Sequence, residues 1–93
     1  MPRRKQQRAF TYGVFINTYA TDEVKQQVER DKMYITRPGA FGNKREYQGT
    51  SERVAAWHFY RAIRTAASDP LAYSVTMYRN GELIAQAPVL HSL

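Results

Sequence analysis

The sequence predicts an α+β fold, a two-layer sandwich in which two helices cover one face of a mixed four-stranded sheet. The predicted order is β-α-β-α-β-β. Three observations carry it. Phe10, Tyr12, Val14 and Ile16 alternate with Thr11, Gly13 and Phe15, the period-two pattern of a strand. The stretch ERVAAWHFYRAIR, residues 52–64, repeats its apolar residues at helical spacing. Near the C-terminus, Asn80-Gly81 separates LAYSVTMY from ELIAQAPV, the strongest short signal for a β-hairpin.

The elements follow in order. Residues 1–8 form a basic arm expected to be flexible, and residues 9–93 the single domain, whose length suits one small core. Thr21 is placed to cap a helix over 22–31, with Asp22 and Glu23 favouring the positive end of its dipole. Val24 and Val28, four apart, form its buried side. MYIT, 33–36, reads as the second strand, stopped by Pro38-Gly39. If it neighbours the first strand, the helical crossover makes the two parallel. Residues 37–50, RPGAFGNKREYQGT, show no periodicity and hold three glycines, which predicts a long loop. Thr50 or Ser51 caps the main helix, 51–67, and Asp69-Pro70 ends it.

Helical geometry gathers Ala56, Phe59, Tyr60, Ile63, Ala66 and Ala67 into one arc, predicted to face the core. Arg53, Trp57, Arg61 and Arg64 then share a second face. Trp57 either lies exposed on it, is shielded by arginine stems, or packs under the loop against Phe41 or Tyr47. In the hairpin, a three-residue Arg79-Asn80-Gly81 loop sets Met77 opposite Leu83, Val75 opposite Ala85 and Tyr73 opposite Ala87. That register gives one continuous apolar face from Leu71 to Val89 and is preferred over a two-residue turn. Pro88 marks an edge position or the end of pairing. Tyr12, Tyr34, Tyr47 and Tyr78 are candidates for exposed rings, and Tyr78 and Ile84 for the sheet face away from the helices.

The net charge is +6, and it is clustered. Residues 1–21 hold Arg3, Arg4, Lys5 and Arg8 and no acid. Residues 37–64 hold Arg37, Lys44, Arg45, Arg53, Arg61 and Arg64 against Glu46 and Glu52. Such clusters attract a polyanion or an acidic protein surface. Arginines flanking an aromatic ring suit phosphate contacts with stacking on an unpaired base. These residues and Trp57 are therefore the candidate binding set, with nucleic acid the expected partner. The alternative partner is an acidic protein, as for a viral or phage inhibitor of a host factor. A homodimer through the open sheet face is a further expectation.

Other chemistry finds little support. The chain has no cysteine, which excludes disulfides, thiolate-ligated metals and thiol nucleophiles. GAFGNKR, 39–45, offers glycines that let a phosphate approach but lacks the spacing of a Walker loop. His58 and His91 have no partner ligands at metal-binding spacing, and no nucleophile sits beside a base. A non-enzymatic protein without metal or cofactor is expected. No apolar run reaches the length of a membrane span, so the expectation is a soluble, cytoplasmic protein.

Overall fold

A computed structural model describes residues 10–31 and 39–91. Its elements are β1 (Tyr12–Tyr19), α1 (Asp22–Asp31), β2 (Phe41–Gly49), α2 (Glu52–Ala66), β3 (Ala72–Arg79) and β4 (Glu82–Pro88). The order is the expected β-α-β-α-β-β and the class α+β. The arm with Arg3, Arg4, Lys5 and Arg8, the MYIT strand with Tyr34, and Arg37 lie outside the described residues.

The sheet runs β2-β1-β3-β4, and every neighbouring pair is antiparallel. This corrects the expected mixed sheet; the parallel pairing expected between the first strand and MYIT falls outside the described residues. The sheet also corrects the loop at 37–50, most of which is β2. Because β2 and β3 both oppose β1, they run the same way with β1 between them. The β2-α2-β3 connection is therefore a split βαβ unit, and the parallel relation joins strands two apart in the sheet.

Helix α1 begins where its cap predicts, with Thr21 Oγ1 accepting from Val24 N at 3.2 Å. It meets the sheet mainly at β1, and Lys25 Nζ donates to Pro70 O at 2.7 Å beyond the end of α2. Val24 is buried, while Val28 is only half-buried.

Helix α2 covers β1, β3 and β2. Ser51 is its N-cap, accepting from Val54 N at 3.2 Å. Ala55, Phe59, Ala62 and Ala66 turn inward onto Tyr12, Val14 and Ile16 of β1 and Ala72 and Val75 of β3, with Val89 closing the core. The expected core arc was centred on Ile63 and included Tyr60. The observed one is rotated by roughly 70° at about 100° per residue. The reason is steric. Three alanines let the helix approach the sheet closely, and Phe59 alone fills the gap between them. Tyr60 is left 64% exposed, with its ring edge against Phe59. Tyr12, expected exposed, is a core residue.

The hairpin keeps its place but not its expected register. Arg79 pairs with Glu82, so the turn is two residues, and Asn80 (φ 50°) and Gly81 (φ 84°) are both left-handed, as a type I′ turn requires. Asn80 also donates through its backbone to Thr11 O at 2.7 Å and accepts from Thr11 N at 2.9 Å. The register shifts between Met77 and Tyr78, making Ile84 an extra residue in β4. That bulge restores the phase, setting Met77 opposite Ala85 and Val75 opposite Ala87, so the apolar face survives for these four. Leu83 leaves it, lying opposite Tyr78 and half exposed. β4 is an edge strand that ends at Pro88, the position its proline favours.

Candidate functional site

The side of α2 away from the sheet carries Arg53, Trp57, Arg61 and Arg64. At offsets of −4, +4 and +7 from the tryptophan these fall within roughly 80° of arc. Trp57 is 58% exposed and points almost directly away from the core, which decides between the buried and exposed alternatives. The Arg61 guanidinium carbon lies 5.3 Å from the centre of its ring, within cation–π range. His58 meets the indole edge-on at 4.9 Å and stacks on Tyr47 of β2 at 4.9 Å, with ring planes 15° apart. Tyr47 Oη in turn accepts from Ser51 N at 3.3 Å. The Tyr47–His58 contact thus fixes the flank of α2 to the sheet and braces the tryptophan beside it.

The electrostatics of this face are one-sided. The only carboxylate of α2 is Glu52, and it accepts from Tyr12 Oη at 3.4 Å, on the sheet side of the helix. Among the described residues, Arg53, Arg61 and Arg64 make no ion pair. Val54 and Tyr60 flank the arginines and are also exposed. The face can therefore offer three guanidinium groups and an open indole to an anionic, partly aromatic ligand.

The other candidates are distributed differently. Lys44 lies opposite Ile16 and so projects on the α2 side of the sheet, at its β2 edge, 3.8 Å from Glu46. Arg45 lies opposite Phe15 and projects on the other side, where its guanidinium donates to Gln48. GAFGNKR forms no phosphate cradle, because Gly42 is inside β2 opposite Thr18. His91 Nε2 is 2.8 Å from Asp69 O. The described residues contain no group of three side chains placed to hold a metal ion.

The sequence reading anticipated an open sheet face carrying Tyr78 but missed the residues that share it. On the open side of the sheet, Phe15 and Tyr78 meet edge to face at 5.8 Å, and a shallow concavity lies between them, Asn17, Asn43 and the Arg45–Gln48 pair. Asn17, which lines it, is tied in place: its Nδ2 donates to Ser74 Oγ at 3.0 Å and Thr76 Oγ1 at 3.1 Å. At the far end of the same side, Tyr19 packs on Tyr73 and Phe41, 4.7 and 5.9 Å between ring centres. The signal for the side chains of β1 was the alternation of residues 13, 15, 17 and 19 against the buried set. The contribution of β2 had no such signal.

Fold and face together define a small two-layer α+β domain with a basic, aromatic helix surface turned outward. No family model matches the chain, and no curated protein or solved structure is similar to it. Its own side chains are the guide to its function. No helix among the described residues is long and apolar enough to cross a membrane.

Proposed function

We propose that this protein is a non-enzymatic nucleic-acid-binding domain that engages single strands through the outward face of α2. The observation that carries the proposal is the exposed Trp57 with Arg61 stacked on it and Arg53 and Arg64 alongside, on a face without a carboxylate. Phosphate neutralisation by the arginines supplies affinity, and an unpaired base supplies the flat partner an open indole accepts. A duplex keeps its bases stacked inside and leaves the indole without that partner. Base sequence is read little, because α2 is armed for phosphates rather than base edges. The basic arm and Arg37 add further positive charge in the sequence ahead of this element.

The test is fluorescence anisotropy of labelled single- and double-stranded oligonucleotides across a salt series. Three arginine–phosphate contacts on a single strand predict a log–log slope of about −2. Trp57 is the sole tryptophan, so its emission should be quenched as the strand binds. Replacing Arg53, Arg61 and Arg64 together by Ala should remove most of the slope. Absence of binding at low salt, or a slope and quenching untouched by the triple variant, overturns the proposal. Preferential binding of an acidic polypeptide does so too, and turns the face into a protein-docking surface.

A further inference from the structure

We propose that the concavity on the open side of the sheet is a nucleotide seat, taking one base against Phe15 and Tyr78 and its phosphate at Arg45. This rests on the nucleic-acid reading of α2 and extends it to a second surface. The seat is built from three strands. Tyr78 of β3 stands opposite Gly13 of β1, and the Phe15 ring leans over that glycine. A Cβ at residue 13 would come within 3.1 Å of the Phe15 ring, so the absence of a side chain there is what lets the ring lie close over the strand beside Tyr78.

Around that wall the groups are polar and, with one exception, uncharged. Asn17 and Asn43 are cross-strand partners, placing two amides side by side. The Asn17 amide is held by Ser74 and Thr76, both buried, and this leaves its carbonyl oxygen without a partner among the described residues. Amides of this kind match the mixed donor and acceptor edge of a nucleobase. The exception is Arg45, and no carboxylate lines the concavity. A lone cation beside an aromatic wall and amides complements a planar ring carrying one anionic group.

The β2 edge connects this seat to α2. Lys44 and Arg45 are consecutive in β2 and project to opposite sides of the sheet. A strand lying along α2 can therefore pass over this edge with a cation on each side of it.

The experiment is amide chemical-shift mapping of the intact protein by NMR with adenosine 5′-monophosphate, and separately with inorganic phosphate. The expected result is saturable shifts at Gly13, Phe15, Asn17, Asn43 and Tyr78 with the nucleotide but not with phosphate. Tyr78→Ala should weaken the nucleotide about tenfold, in line with the loss of one base stack. Arg45 is exposed, so Arg45→Ala serves as the second variant if Tyr78→Ala fails to fold, and it should also weaken binding. No saturable shift at these residues, equal shifts with phosphate alone, or indifference to both variants overturns the seat. A trinucleotide binding more tightly than the mononucleotide assigns the seat to a strand, and equal affinity assigns it to a free nucleotide; both retain it. Because the mononucleotide reports on the seat alone, failed oligonucleotide binding with the nucleotide shifts intact overturns only the α2 reading.

Discussion

The outward face of α2 and the open side of the sheet both combine aromatic rings with basic groups, but in opposite proportions. On α2, three arginines surround one indole that is more than half exposed. On the sheet, aromatic rings and amides surround one accessible arginine. Charge acts over a distance and tolerates loose geometry, whereas stacking and amide contacts need a shaped surface. The helix face is suited to capture and the sheet face to discrimination. The two also differ in their debt to the fold: the arginines of α2 make no ion pair with a described residue, while the side chains of the open sheet knit β1 to β3.

The sharpest test of that contrast lies within α2 itself. Phe59 is the large inward residue between three alanines, only 6% exposed. Phe59→Ala should destabilise the domain by about 3–5 kcal/mol, a drop in Tm of at least roughly 12 °C for a domain of this size. Trp57→Ala, two residues away, should cost less than about 1 kcal/mol while abolishing the fluorescence response and weakening single-strand binding. Thermal unfolding followed by circular dichroism separates them. Comparable losses of Tm in both variants would mean that Trp57 is structural, and the distinction between the faces of α2 would collapse.

A smaller effect separates the open sheet from α2. Asn17→Ala removes two hydrogen bonds and leaves the buried Ser74 and Thr76 hydroxyls without that partner. The expected cost is about 2 kcal/mol, measured by urea denaturation. Arg53→Ala, on the helix, should fall within about 0.5 kcal/mol of the parent. If Asn17→Ala were as silent as Arg53→Ala, the open face would be ornament rather than structure, and the seat's amide would not be held in place.

How far these surfaces could be read in advance depended on the kind of signal each residue gives. Thr21 with Asp22 and Glu23 fixes the start of α1, and Asn80-Gly81 fixes the hairpin, because capping and left-handed turns are local demands on particular side chains. The composition of the helix stripe followed from its spacing alone. What failed were choices between near-equal alternatives. Two arcs of α2 differ mainly in trading Ala55 and Ala62 for Tyr60 and Ile63, and only packing against the sheet prefers the smaller pair. The preferred hairpin loop assumed an unbroken ladder, yet a bulge at Ile84 lets a two-residue turn and an in-phase apolar face coexist. β2 was read as loop because FGNKREYQG has no alternation. As an edge strand with charged residues and its own register shift beside Glu46, it carries the features that keep an edge from pairing with other chains, and these are the features that hide a strand in a sequence.

The open side runs from Phe15 and Tyr78 at one end to Tyr19, Tyr73 and Phe41 at the other, all half-buried, and the smallest expected effect tests how far water reaches the second end. The Tyr19 phenol is raised above its ordinary 10.0, first because burial strips water from the phenolate and second because the Glu29 carboxylate opposes a nearby negative charge. The folded state therefore holds this proton more tightly than the unfolded chain. Its contribution to stability is complete below pH 10 and falls as pH rises through the folded value, since the unfolded chain ionises first. Glu29→Gln should move the Tyr19 titration down toward 10 without reaching it, because burial is the larger cause. Phenolate absorbance follows the titration, and Tyr19→Phe should remove a component that ionises above 10 and reduce the alkaline loss of stability. If Tyr19→Phe removed only a component at the ordinary value, the Tyr19–Tyr73–Phe41 end would be as open to water as an unfolded chain, and a ligand surface would extend along the whole sheet rather than ending at Asn17.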